Sequence, residues 1–240
     1  MKHYTRILWI GLGVIFLLGL YGCPPGGGGG NGDTCPEPTL DISVCDPSTV
    51  MFSVVVDHDF FPLAVGTELV LEGEEDGETI RVEISVPGDT ELVAGIETVV
   101  MIETEYEDGE LVEVSRNFFA QAADGTVCYF GEDVDDYDNG NIVSHGGAWR
   151  AGENGYLPGI MMPAVPQVGD AYYQEYAPGV AEDMGEIVAF GEAIDVPAGQ
   201  FADTMTVEDC NPLEDAETDE KVYVRGIGLA IDEVMALISY

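Results

Sequence analysis

Basic residues are nearly missing from this chain. It holds 7 lysines and arginines against 46 aspartates and glutamates, and Lys221 is the one lysine beyond Lys2. So anionic a surface repels phosphate backbones and anionic headgroups, which excludes nucleic acid as a partner and leaves no charge-driven membrane contact. Histidine is scarce too, with His3, His58 and His145 the full set. There is no G-x-S-x-G elbow, and Ser144 beside His145 is no nucleophile–base pair, because strand neighbours point to opposite faces. His58, between two aspartates, reads as a surface residue. No cysteines have C-x-x-C spacing, which argues against a thiol-held zinc. The sequence also lacks an amphipathic helix of three turns and any internal repeat.

What is there begins with Lys2 and Arg6, then an almost wholly apolar stretch from Ile7 to Tyr21. It is shorter than the roughly 20 residues of a membrane-spanning helix but suits a signal-peptide core after a basic start. It ends in Leu20-Tyr21-Gly22-Cys23, which resembles the lipobox of bacterial lipoprotein precursors, with Tyr21 bulkier than usual at its position. The resemblance implies removal of residues 1–22 and a diacylglycerol thioether on Cys23, a covalent lipid that would be the only membrane contact. Pro24 directly after the cysteine, where an aspartate favours inner-membrane retention in that family, implies the outer membrane of a bacterial envelope. Residues 23–34 then form a tether, because its glycines bury too little surface to offset their ordering entropy. Without Lys2 and Arg6 the remaining chain carries a net charge of −41.

An exported location is oxidising, so Cys35, Cys45, Cys128 and Cys210 are expected to form two disulfides, with three connectivities open. The short spacing of Cys35 and Cys45 suits a local staple in a lead-in segment, residues 35–49, leaving Cys128 and Cys210 to join distant strands.

Residues 50–240 read as one β domain. Short runs such as "TELVLE", "TIRVEISV" and "IETVVMIETEY" follow one another, several alternating charged and apolar residues with period two. Between them, Asp76-Gly77, Asp108-Gly109, Asp124-Gly125 and Asn139-Gly140 accept the positive φ of tight hairpin turns. The expectation is a mainly β fold, a single antiparallel, curved sheet or half-barrel. Residues 146–166 interrupt the rhythm with a glycine- and proline-rich loop that nevertheless carries Trp149, Tyr156, Ile160, Met161 and Met162. So much apolar surface predicts a loop packed across the sheet.

Chemistry is sparse. Asp133, Asp135, Asp136 and Asp138 form the densest acidic stretch and are weak calcium candidates, since no register meets the EF-hand pattern. Trp149, Tyr172, Tyr173, Glu175, Tyr176, Glu182 and Asp183 are the best candidates for an aromatic-lined polar cleft that stacks on a sugar-like or cationic ligand.

A further set of landmarks keeps its order across residues 57–234. Phe60-Phe61-Pro62-Leu63 precedes Gly66-Thr67; then come Glu107-Asp108-Gly109-Glu110-Leu111-Val112-Glu113 and Tyr129-Phe130-Gly131-Glu132-Asp133. Leu157-Pro158-Gly159-Ile160, Gln174-Glu175-Tyr176, Ala181-Glu182-Asp183-Met184 and Gly226-Ile227-Gly228-Leu229 complete it. Together they resemble a family of uncharacterised bacterial lipoproteins and secreted β proteins. That resemblance implies a curved sheet similar to lipoprotein-carrier folds and no established activity. It also implies a staple between neighbouring strands, because tryptophan often stands in that family where this chain has Cys128 and Cys210. Arg150 departs from the acidic residue common there.

The function expected from sequence is therefore a lipid-anchored, non-enzymatic envelope module, monomeric, binding a small ligand or an envelope protein, or serving a structural role. No cofactor beyond the covalent lipid is expected. Two alternatives stand beside it: a carrier of a lipid or hydrophobic ligand on the concave sheet face, and a hydrolase using the carboxyls of Glu175 and Asp183.

Overall fold

The structure, a computed structural model, describes residues 35–213 and 218–240. Residues 1–22, Cys23 and the tether to residue 34 lie outside the described residues, and with them the lipobox expectation.

The chain is mainly β. After a 3-10 turn at Ile42–Cys45, capped by the Asp41 carboxylate accepting from the Ser43 N–H at 2.9 Å, come three two-residue strands. They are β1 (Phe52–Ser53), β2 (Asp57–His58) and β3 (Phe61–Pro62). A first meander follows: β4 (Glu68–Glu75), β5 (Glu78–Ser85), β6 (Thr90–Val93), β7 (Ile96–Glu107), β8 (Glu110–Ala122), β9 (Val127–Asp138) and β10 (Asn141–Ser144). The expected loop contains β11 (Trp149–Arg150) and β12 (Gly159–Met162). A second meander consists of β13 (Ala171–Tyr173), β14 (Met184–Phe190), the small hairpin β15 (Ile194–Val196) and β16 (Gly199–Phe201), then β17 (Thr204–Cys210), β18 (Thr218–Val224), β19 (Gly228–Asp232) and β20 (Met235–Ser239).

One large antiparallel sheet runs β10-β9-β8-β7-β5-β4-β20-β19-β18-β17-β14-β13. The two meanders meet at β20 and β4, where Leu237 pairs with Leu71. Among the described residues no ladder joins β10 to β13, so the sheet is curved but not closed into a barrel.

Local chemistry explains the hairpins. Asp76-Gly77, Asp108-Gly109 and Asn139-Gly140 have both φ values positive, as two-residue turns with right-handed twist require. Asp124-Gly125 differs: only Gly125 has positive φ, and the turn is wider, with the Ala122 N–H donating to the Thr126 carbonyl. Ala94-Gly95 makes a further positive-φ pair between β6 and β7.

The loop of residues 146–166 is packed, as its apolar content predicts, but as strands: β11 and β12 both pair with β9, and Ile160, Met161 and Met162 are buried. Here β12 reaches the opposite edge of the sheet, with Leu157 bridging Tyr176. A Cβ on Gly159 would lie 1.9 Å from the Gln174 carbonyl oxygen, so only glycine permits this approach.

The disulfides correct the expected pairing. Two form, but Cys35 joins Cys210 and Cys45 joins Cys128, with Cα separations of 5.6 and 5.7 Å. The local Cys35–Cys45 staple and the Cys128–Cys210 bridge are absent, because Cys128 on β9 and Cys210 on β17 lie toward opposite ends of the sheet. The lead-in segment crosses that gap instead. Between its two cysteines, Thr39 and Leu40 donate backbone N–H bonds to the Ala171 carbonyl on β13 at 2.7 and 3.1 Å. Residues 35–45 therefore strap the two ends of the open sheet together.

Candidate functional site

The period-two rule puts alternate residues of a strand on one face. On β7 and β8 the ladder sets Glu105 opposite Glu113, Glu103 opposite Ser115 and Met101 opposite Asn117. Across β8 and β9, Asn117 faces Glu132. Glu105, Glu113, Asn117 and Glu132 are all buried, so this carboxylate-rich stripe faces the interior. The second meander supplies the other side. Lys221 on β18 sits opposite Asp232 on β19, and its Nζ lies 3.2 Å from Asp232 Oδ1 and 3.3 Å from Asp209 Oδ2, all three residues being buried. Gln174 Nε2 donates to Asp209 Oδ1 at 3.0 Å, and Trp149 Nε1 donates to Glu175 Oε1 at 3.2 Å. Lys221 and Asp232 both act on the charge of Glu103, so the two halves of the curved sheet face one another across a single polar layer.

That layer holds many carboxyls and one ammonium, and burial disfavours ionisation. Burial first, then neighbouring charge, sets the result. Glu103, Glu175 and Asp209 are each pushed up to about 7, with burial the largest cause. Glu105 and Glu132 are held well above the usual carboxylate range by burial and by Glu113. Several polar atoms inside have no hydrogen-bond partner among the described residues, including both carboxyl oxygens of Glu105 and the hydroxyls of Tyr172 and Tyr223.

Among the described residues Lys221 is the only cation in this interior, and its removal leaves Asp209 and Asp232 uncompensated. Lys221→Met is expected to cost about 3–5 kcal/mol in urea unfolding at pH 7, and adding Asp209→Asn should restore part of that loss. Equal stability of Lys221→Met and the parent would contradict this account.

Beside the acidic layer the interior opens into a pocket. Its apolar wall draws Phe61 and Leu63 from around β3, Leu69 from β4, Ile84 from β5, Phe119 from β8 and Leu229 from β19, with Met161 from β12. About 520 Å³ of space lies between its walls, a figure that includes open solvent at the mouth. Glu103 is the one charged residue of the wall and Asn117 lies beside it. Asn117 Nδ2 donates to Glu103 Oε2 and to Ser115 Oγ, both at 3.1 Å, while the Tyr129 hydroxyl donates to Asn117 Oδ1. Stacking of Phe119 on Tyr129, ring centroids 4.6 Å apart, and the edge of Phe61 on Phe119 at 5.1 Å hold this wall rigid.

The sequence-predicted cleft divides between two places. Trp149, Tyr172, Glu175 and Asp183 point inward and are buried, Trp149 with its ring edge-on to Tyr129 at 5.5 Å. Tyr173 and Tyr176 pack edge-on against each other at 5.0 Å, both half-buried, and Glu182 accepts from the Gly179 N–H at 2.8 Å. Tyr172 and Tyr173 are strand neighbours, so they cannot line one cleft. The carboxyls of Glu175 and Asp183 do come together, but at 0 % and 3 % exposure neither meets a substrate in this conformation.

The calcium candidates lie on strand β9 rather than in a loop, which separates them. Asp133 binds Arg150 at 2.6 Å and Asp135 binds His145 at 2.8 Å. Asp136 faces Glu113, and Asp138 accepts from Asn139 at 2.7 Å. No group of three or more metal-ligating side chains is assembled among the described residues. His58 also departs from its expected surface position. It is buried, with Nε2 3.0 Å from the Pro163 carbonyl and Nδ1 accepting from the Phe60 N–H at 3.2 Å. Every described lysine and arginine is in an ion pair. Arg81 holds Glu72 and Glu83, Arg116 and Arg150 share Glu91 and Asp133 over the Phe118 ring, and Arg225 holds Asp59 and Asp203.

Comparison with protein-family models, curated proteins and solved structures finds no match to this chain.

Proposed function

We propose that this protein is a lipid-anchored module of a bacterial envelope whose β domain takes up a small ligand with an apolar body. In this reading Cys23 carries the acyl anchor and residues 23–34 give reach. The observation that carries the ligand reading is the pocket bounded by Phe61, Ile84, Met101 and Met161, whose apolar walls converge on Glu103 and Asn117. Small-molecule sites have this composition, a mostly apolar concavity with a few placed polar groups. The segment of residues 146–166 reaches this pocket through Met161. The remaining interior is filled by side chains such as Phe119, Tyr129, Ile187 and Met205, which favours a structural module as the second reading.

Titration of methyl-labelled methionine protein with 1-octanol separates the two. Saturable shifts of the Met101 and Met161 methyl resonances, with exposed Met51 unmoved, are expected for a ligand pocket. Unmoved resonances, or equal drift of all three, would favour the structural module.

A further inference from the structure

Resting on that pocket, we infer that the ligand carries a cationic amine, its ammonium seated on Glu103 and its apolar body against Phe61, Ile84 and Met161. The donors of Asn117 and Tyr129 beside Glu103 are already spent. Both N–H groups of Asn117 are used, on Glu103 Oε2 and Ser115 Oγ, and the Tyr129 hydroxyl donates to Asn117. Tyr223 contributes its ring to the wall, and its buried hydroxyl has no hydrogen-bond partner among the described residues. What this end of the pocket offers a ligand is a carboxyl acceptor, and an acceptor selects a donor head.

The surrounding charge selects a positive one. Glu103 is faced by Asp232 from β19, by Glu132 and Tyr129 from β9, and by Glu105 on its own strand. The one opposing cation among the described residues, Lys221 on β18, is committed to Asp209 and Asp232 at 3.3 and 3.2 Å. Glu105 and Glu132, held well above the usual carboxylate range, add little charge. Above about pH 7 it is therefore the carboxylate of Glu103 itself that repels an anionic head, while a neutral hydroxyl gains a hydrogen bond without the charge. An ammonium gains both. The chain's overall charge of −39 adds attraction for a cation approaching from outside. Because Glu103 is pushed up to about 7 by burial, the seat is charged above that pH and neutral below it.

Three probes with one tail and different heads test this: n-octylammonium, 1-octanol and octanoate, followed through the Met101 and Met161 methyl resonances at pH 8. We expect octylammonium to bind about tenfold more tightly than octanol, with octanoate weakest, and its advantage to disappear at pH 5.5. Glu103→Gln should erase the preference at pH 8 while leaving octanol binding in place. Octanol binding as tightly as octylammonium, or octanoate binding best, overturns the amine assignment and leaves the pocket standing. Failure of all three probes overturns the pocket reading and this inference with it. Should Glu103→Gln not fold, the three-probe comparison and its pH dependence in the unaltered protein decide the matter alone.

Discussion

Acidification from pH 8 to pH 5 stabilises this protein, where most proteins gain nothing or lose. Glu103, Glu175 and Asp209 hold their protons up to about 7 in the fold, whereas the unfolded chain gives them up near 4. Between those limits the folded state binds more protons, so stability falls as pH rises. It is full below about pH 4 and lost through pH 7. Each group contributes a slope of about 1.4 kcal/mol per pH unit, and the three together about 4 kcal/mol per unit at the steepest. Lys221, itself raised, stays charged in both states throughout this window and adds no slope. Buried His58, lowered by burial, opposes the trend in part as pH falls through the imidazole range.

Surface repulsion relaxes on acidification as well, so the measurement belongs in 1 M sodium chloride, where the Debye length is about 3 Å and surface charge is screened. The melting temperature there should be about 10–20 °C higher at pH 5 than at pH 7.5. A midpoint that is flat, or higher at pH 7.5, would show that the interior carboxyls are not neutral in the fold.

Loss of either disulfide is the second large effect. The Cys45–Cys128 bridge spans 83 residues of sequence and Cys35–Cys210 spans 175, so each restrains a long stretch of the unfolded chain. Replacing either pair by alanine is expected to cost about 2–5 kcal/mol. The placement adds a local consequence. With Cys45 released from β9, the strap no longer ties the two ends of the sheet, and β12 loses the segment packed over it. Amide exchange at Ile160 and Met162 should therefore accelerate more than exchange at Leu71 or Leu237 in the middle of the sheet. Uniform acceleration would mean that the bridges act on global stability alone.

Much of the sheet was legible residue by residue. Alternation in Arg81-Val82-Glu83-Ile84 gives the half-buried pattern found in β5, and the aspartate–glycine dipeptides mark three of the hairpins. Ala94-Gly95 escaped because alanine is a poor signal for a position that needs positive φ. The cysteine pairing escaped because proximity in sequence says nothing of which strand ends a curved sheet brings together.

The acidic layer is the deeper miss. Alternation assigns residues to two faces without saying which is wet. In "IETEY" the rule places Glu103 and Glu105 toward water, yet Glu105 is buried and Ile102, Thr104 and Tyr106 are only half-buried on the other side. A polar stripe turned inward has the same sequence pattern as one turned outward. The pocket has no local signature at all, since its walls come from strands far apart in the chain.

The strand that unites the two meanders, β20, is also the last of the described strands in sequence. A growing chain can complete β4 to β10 early, but β4 keeps a bare edge of unpaired backbone groups until β20, nearly 170 residues after it in sequence, has emerged. Completion of the sheet is thereby deferred until β20 is available to pair with β4. It is also slow, because closing so distant a pairing costs loop entropy before any contact repays it. Until then the half-made sheet is a template for adhesion to its own copies, and a companion that covers the β4 edge would raise the yield of native protein more than one that shields apolar side chains elsewhere.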